Sequence, residues 1–465
     1  MKEFLKSFFS FGLAATIEKL IAFLLLPIYT RYFTKEEFGV IDLVQVILGL
    51  ASIFAVFQLE TALQRYYYEY KGKIKEVYIS TIFIVIVTLS LVVTLLLFLN
   101  AELLTILVFK SAEYVDVVKL AIWQLPFINF AMLSFVILRY EKRNIQFVSL
   151  ILLKVVVNLL FIFLFVVILK LGIIGVFYAQ LISHAISSIF LFMAVRRFLS
   201  FSFSRKLFRK CVKYALPQFP ARIGSVLLTY GNRFFMIGYL TLGAIGIYSL
   251  SLKLASSVQL VYSAFVMAWA PFMFEKIKNP NHKKIFPKVL LLVESPVFLL
   301  VSFVCIFSKE IVNLIASNEF QESYQYVGGL SLYFSLFIFK EIVDIGPKYK
   351  EKTKYLSLTF FLSVCINLIC LFVFIKPFGL YGVVYSMLIT NTFLVFCSWY
   401  ISNRLHYIPF DLFRFILLAI PVYILGVGSM FYYPGFLFRI CLFLLVASVY
   451  LLAFFFSYKK FKTVE

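Results

Sequence analysis

The sequence has little charge. Of its 465 residues only 14% are Asp, Glu, Lys or Arg, whereas a soluble chain holds nearer one quarter to keep its surface wet. Hydrophobic residues reach 63% and mean hydropathy is +0.99, so a soluble globular domain is excluded. Short strands alternating apolar with polar residues are also missing, which excludes an outer-membrane barrel. Cysteine is sparse and scattered. Cys211, Cys305, Cys365, Cys370, Cys397 and Cys441 show neither disulfide nor metal spacing and are expected as small packing residues, with no metal site. No Gly-x-x-x-x-Gly-Lys-Ser/Thr phosphate loop occurs, so neither ATP hydrolysis nor a bound cofactor is expected. No cleavable leader is expected either, because the first apolar segment is too long and leads directly into another.

What is present is apolar runs of membrane-spanning length, about 20 residues each. Fourteen are expected, near 8–31, 39–64, 76–99, 117–138, 146–169, 172–195, 214–239, 243–270, 286–307, 324–346, 355–375, 379–400, 411–432 and 435–457. The net charge of +22 would point to nucleic acid in a soluble chain, but its distribution here gives another explanation. With the N-terminus inside, 30 of the 44 basic residues fall in internal stretches and seven in external ones. This asymmetry predicts an inner-membrane protein with both termini cytoplasmic and no nucleic-acid partner. The external stretches are too short for a catalytic domain, so the protein is not expected to be an enzyme.

The chain also repeats itself. Phe38-Gly39-Val40-Ile41-Asp42-Leu43 recurs as Ile245-Gly246-Ile247-Tyr248-Ser249-Leu250, and Gly172-Ile173-Ile174-Gly175 recurs as Gly379-Leu380-Tyr381-Gly382, both at an offset of 207. Phe147-Val148-Ser149-Leu150 returns as Tyr355-Leu356-Ser357-Leu358 at 208. An all-α fold follows, with two six-helix lobes related by an axis along the membrane normal around a central cavity. The expected boundaries are a first lobe at 1–200, a basic cytoplasmic linker at 201–213, a second lobe at 214–400, and two further helices with a tail at 401–465.

Polar residues inside spans are costly and mark cavities or partners. Arg222, Ser225, Thr229 and Arg233 lie on one face of the seventh span, and Ser249, Lys253 and Ser256 on one face of the eighth. Shifted back by 207, Ser225 and Ser249 lead to Glu18, with Lys19 adjacent, and to Asp42 in the first two spans. These groups either pair locally or line a hydrated cavity. Arg222, Lys253, Arg233 and Lys19 are the candidate substrate-binding cations. Glu18, Asp42, Ser225, Thr229, Ser249 and Ser256 are the candidate polar lining. Glu60, Glu294 and His184 are candidates for ion coupling. Lys154 stands alone in mid-span. A cationic excess suits an anionic headgroup, and arginine suits phosphate through paired hydrogen bonds.

Leu26-Pro27-Ile28-Tyr29-Thr30-Arg31-Tyr32-Phe33 with Glu37-Phe38-Gly39 resembles the opening of the Wzx-type oligosaccharide flippases, in the polysaccharide transporter branch of the multidrug/oligosaccharidyl-lipid/polysaccharide superfamily. Asn232-Arg233-Phe234-Phe235, Gly246-Ile247-Tyr248-Ser249-Leu250 with Lys253, and Lys352-Thr353-Lys354-Tyr355 with Gly379 and Gly382 resemble further segments of that family. Asn232 stands where the family often carries Asp. The resemblance implies a flippase for undecaprenyl-pyrophosphate-linked oligosaccharide repeat units of O-antigen, capsule or exopolysaccharide. It further implies alternating access driven by a proton or sodium gradient. Membrane lipids, glycan polymerase and glycosyltransferases of the same pathway are the implied partners. A multidrug or toxic-cation exporter and a lipid II flippase share the architecture and stay open as alternatives.

Overall fold

A computed structural model describes Phe23 and residues 25–462 except 201, 278, 351 and 353. Among the described residues regular structure is helical, as it must be where hydrocarbon offers the backbone no hydrogen-bond partner. Nine helices there are long and apolar enough to cross a membrane, or ten if Leu242–Ala255 and Ser257–Ser263, bent by 41°, form one span. The difference from fourteen expected spans has several sources, one being that Phe219–Tyr239, at the expected seventh span, is not among the nine. Most of the first segment lies outside the described residues. Two others run as one 52-residue helix, Lys354–Leu405, broken at Gly379. The thirteenth is a helix of only 17 residues, Leu412–Gly428.

The chain divides into two compact units, Met1–Ile237 and Gly238–Glu465. In the first, α1 (Leu26–Tyr32), α2 (Lys35–Val56), α3 (Leu59–Tyr66) and α4 (Gly72–Leu99) are followed by α5 (Ala101–Phe109) and α6 (Val115–Ile122). Then come α7 (Leu125–Tyr140), α8 (Asn144–Ile162), α9 (Ile173–Val195), α10 (Arg205–Ala215) and α11 (Phe219–Tyr239), which carries the boundary. Helix α2 starts with a capping box, Thr34 accepting from the Glu37 N–H while Glu37 accepts from the Thr34 N–H. It stops at Phe57 and Gln58, both left-handed at φ 50° and 58°. Two such non-glycine residues in a row are uncommon, and the Phe57 ring lies 4.4 Å from that of Phe219.

The division at 237/238 comes later than the linker expected at 201–213. Helix α10 is amphipathic rather than a free connector. Its Cys211 and Ala215 are buried in the same core as Leu63, Tyr78 and Ile82, with Leu207 packed against them. Its Lys210 pairs with Glu69. The apolar face therefore holds the segment in the first unit and the basic face stays outward.

The second unit contains α12 (Leu242–Ala255), α13 (Ser257–Lys276), α14 (His282–Ile306), α15 (Ser308–Ile315) and α16 (Tyr324–Val343). It continues through α17 (Ile345–Tyr349), α18 (Lys354–Leu405), α19 (Leu412–Gly428) and α20 (Phe436–Lys462). Within α18, Gly379 sits at φ 56° and ψ −128°, a conformation open essentially to glycine. Gly382 faces the end of the preceding half-helix so closely that a Cβ there would lie 2.1 Å from the Phe374 carbonyl oxygen. At one end of this unit Arg439, 6% exposed, grips the Glu310 carboxylate with both terminal nitrogens at 2.6 Å. It also donates to the Ile306 carbonyl at 3.1 Å and the Tyr433 hydroxyl at 2.7 Å, tying α20 to the α14–α15 junction.

Two predictions follow from these packing features. Gly382→Ala should lower thermal stability in detergent by about 1–3 kcal/mol, read by fluorescence-detected size exclusion after heating. Gly428→Ala, with nothing within 4 Å of the added carbon, should not. The second concerns Glu310: burial, the largest single influence, pushes its carboxyl up, but hydrogen bonds from Arg439, its own backbone and Tyr433, with the Arg439 charge, together hold it below its ordinary value. A depressed folded pKa means that its stabilisation is complete above the ordinary carboxylate range and is lost as pH falls through the folded value. Glu310→Gln should therefore remove about 1–2 kcal/mol at neutral pH and flatten the acid side of the stability profile.

Candidate functional site

The first unit encloses a cavity of about 700 Å³, within the size range of ligand sites. Its lining comes from six helices, Glu60 belonging to α3. Helix α2 supplies Gln45, Gly49 and Ser52, and the left-handed break after it turns Gln58 and Glu60 inward. Helix α7 brings Ile128 and Met132, with Gln124 just before its first turn. Helix α8 contributes Lys154 and Asn158, and α9 contributes Gln180, Ser183 and His184. Helix α11 closes the set with Arg222, Val226 and Tyr230. Tyr230 covers Gly49, where an added Cβ would touch its ring at 3.6 Å.

Several of these groups are held and others are poised. Ser52 donates to Asn129 at 2.5 Å, and Asn129 donates to Ser90 at 2.8 Å. Gln124 donates to the Phe177 carbonyl at 3.2 Å, and Ser183 to the Lys154 carbonyl at 2.7 Å. By contrast, Glu60 Oε2, Asn158 Oδ1 and His184 Nδ1 are buried with no hydrogen-bond partner. Such atoms cost about 1–3 kcal/mol each in a folded protein, so the cavity is built to be occupied by something polar. Its charged groups are Arg222 and Lys154 against Glu60, with Arg222 acting electrostatically on Glu60 and Lys154 on His184. The excess is cationic. Five amide side chains, Gln45, Gln58, Gln124, Asn158 and Gln180, add donors and acceptors together.

The residues expected from sequence separate into distinct groups. Arg222, Glu60 and His184 share this cavity. Arg233 and Asp42, expected as a substrate-binding cation and a lining group, instead meet each other: Arg233 Nε lies 2.7 Å from Asp42 Oδ2, and both residues are 5% exposed. The acidic partner of Arg233 thus comes from α2 and not from position 232, where Asn232 is fully buried with neither amide atom hydrogen-bonded. Two opposite charges taken into a dry interior hold each other there, which accounts for the difference. Ser225 and Thr229 give their backbone to α11, and their side chains lie outside the described residues, as do Glu18 and Lys19 entirely.

Lys253, Ser249, Ser256 and Glu294 belong to the second unit. Ser249 is buried in α12, and Ser256, at the 41° bend, donates to the Lys253 carbonyl at 2.6 Å. Glu294 is fully buried in α14 with neither carboxylate oxygen hydrogen-bonded. Sequence inspection took Lys154 as isolated and passed over Asn158 and Gln180. The signal was the spacing: Lys154 with Asn158, and Gln180 with Ser183 and His184, recur three and four residues apart on single helical faces.

The buried ion pair and the open cavity predict different mutant behaviour. Arg233→Ala or Asp42→Ala alone should destabilise the protein by about 3–5 kcal/mol, whereas Asp42→Leu with Arg233→Met should recover most of that loss. Thermal unfolding of the three purified variants checks this. Single variants as stable as wild type would show that the pair does not brace the fold.

No curated protein matches the sequence. Among solved structures, the fold is similar to a lipid II flippase, MurJ, in an inward closed conformation, with TM-score 0.74, 16% identity, and 95% of this chain and 97% of that one covered. It is also similar to an outward-facing multidrug resistance MATE transporter of the MOP superfamily, with TM-score 0.60, 15% identity, and 87% and 95% covered. A MOP superfamily transporter from Pyrococcus furiosus with a binding pocket of reverse polarity matches at TM-score 0.57, 14% identity, and 87% and 95% covered. The model of the family described as polysaccharide biosynthesis protein matches residues 4–276, so this multi-pass membrane protein, whose fold is that of the MOP superfamily flippases and transporters, belongs to the polysaccharide biosynthesis protein family.

Proposed function

We propose that the protein is a flippase, not an enzyme, and that it carries undecaprenyl-pyrophosphate-linked oligosaccharide repeat units across the inner membrane for O-antigen, capsule or exopolysaccharide synthesis. The observation that carries the proposal is the composition of the cavity in the first unit. Arg222 and Lys154 suit the phosphates, while the five amides suit a polyhydroxyl sugar, since each amide offers a donor and an acceptor. An exporter of drug cations would be served by the opposite charge balance. Membership in the polysaccharide biosynthesis protein family points the same way.

Movement is proposed to follow alternating access, which the inward-facing and outward-facing MATE structures of similar fold support. Gly172, at φ 65° and ψ −149°, opens α9 in nearly the conformation that Gly379 takes inside α18. This likeness supports the 207-residue repeat and a two-lobed machine. A proton or sodium gradient is the proposed drive, with Glu60, whose Oε2 has no hydrogen-bond partner and which interacts electrostatically with Arg222, as the coupling group. Binding of the anionic headgroup to Arg222 would then compete with Glu60 for the same cation. Glu294 and His184 are secondary coupling candidates.

Deletion of the gene should abolish the surface glycan and leave complete lipid-linked repeat units on the cytoplasmic face of the membrane. Arg222→Gln and Lys154→Gln should each lower glycan export by roughly tenfold with protein abundance unchanged. Lys253→Gln tests the second-unit cation in the same assay. Normal glycan in the deletion strain, with altered sensitivity to toxic cations, would place the protein among the drug exporters instead.

A further inference from the structure

The second unit carries a separate groove of about 290 Å³ formed by α14, α19 and α20. Its lining is ordered along the helices. Lys288 lies in the second turn of α14 and Arg414 in the first turn of α19, with Ser457 near the end of α20. One turn further in come Leu291, Leu417 and Leu418, joined by Ala453 from α20. The starts of two helices and the end of a third therefore put two cations and a hydroxyl at one mouth, above an apolar channel. The channel opens sideways. Leu417 and Phe456 are 57% and 67% exposed, which places them against hydrocarbon in a membrane protein. Arg414 Nε lies 3.0 Å from Asp411 in an exposed pair. Exposed Lys283 and Lys284 at the start of α14 and Lys459 at the end of α20 add positive charge at the same helix ends, while the acids near by are Asp411 and the buried Glu294, which acts on it electrostatically.

The geometry points to a seat for a membrane phospholipid with an anionic headgroup. The phosphate lies against Lys288 and Arg414, and an acyl chain runs along Leu291, Leu418 and Ala453. Charge complementarity selects the headgroup, because a phosphate accepts from both cations while a net anionic lipid also meets the surrounding lysines. The apolar wall selects a chain over a sugar, and the side opening lets a bilayer lipid enter without passing through the protein. This site is independent of the cavity in the first unit and of the glycan substrate. Its role is to hold α14, α19 and α20 together at the membrane surface.

The test uses the full-length protein purified in detergent and supplied with phosphatidylglycerol or phosphatidylcholine. Native mass spectrometry counts retained lipid, and thermal unfolding measures stabilisation. Phosphatidylglycerol should be retained and should raise the unfolding temperature more than phosphatidylcholine. Lys288→Gln with Arg414→Gln should weaken its retention roughly tenfold or more, while Lys283→Gln with Lys284→Gln should keep lipid bound and narrow the preference for phosphatidylglycerol over phosphatidylcholine. Ala453→Phe, which fills the channel and keeps both cations, should also lose the lipid, and it serves if the double variant does not survive purification. Equal retention of the two lipids, or undiminished phosphatidylglycerol on both the double variant and Ala453→Phe, would overturn the assignment. Co-purification of a polyprenyl lipid in the groove in place of phospholipid would overturn it as well, and would make the groove part of the transport path.

Discussion

Hydrocarbon supplies no hydrogen bonds, and most of what this protein does with its sequence follows from that constraint. The backbone answers it with helices. Side chains answer it in three ways. Hydroxyls turn back on their own helix, as Ser90 does to the Ile86 carbonyl at 2.6 Å, Thr105 to Ala101 at 2.6 Å and Ser363 to Thr359 at 2.8 Å. Charges pair with charges, as in Arg233 with Asp42 at 2.7 Å and Lys340 with Asp344 at 2.5 Å. Other polar groups gather at a cavity, while a few, Asn232 and Glu294 among them, are buried with no hydrogen-bond partner. The groups at the cavity can meet a ligand, and in the first unit they comprise Arg222, Lys154, Glu60, His184 and five amides.

Breaks in helices do as much as helices to build the site. A continuous α2 would carry Glu60 onward along the span. The left-handed pair Phe57 and Gln58 interrupts the helix, and both Gln58 and Glu60 line the cavity. Backbone strain of this kind persists when neighbours over-determine it, and the Phe57–Phe219 ring contact at 4.4 Å is one such neighbour. Gly379 and the bend between α12 and α13 are comparable interruptions in the second unit. In a bilayer these breaks are tolerated where protein or a cavity satisfies the freed groups.

The two units handle buried acids differently. In the first, Glu60 shares its cavity with cations. In the second, Glu294 is enclosed in the core of α14, fully buried and without hydrogen bonds to its carboxylate. A pattern-level repeat therefore does not make the two halves chemically equivalent.

Composition and periodicity alone determined that this chain is a helical membrane protein, because apolar runs of span length have no other stable solution. The short motifs around Leu26–Phe33 and Gly246–Lys253 also carried its family resemblance. Sequence further marked Arg222, Glu60 and His184, since any ionisable residue inside an apolar run stands out. Tertiary structure decided which of these charges are engaged with one another. Arg222 and Arg233 lie on the same helix at helical spacing, yet one opens to a cavity while the other is locked to Asp42, 191 residues away. The same holds for Lys154, which lines one cavity with His184 of another helix, and for α10, which reads as a charged linker yet buries Cys211 and Ala215. A helical face is a local property, legible from spacing. The partner it meets depends on how distant helices pack, which no single segment encodes.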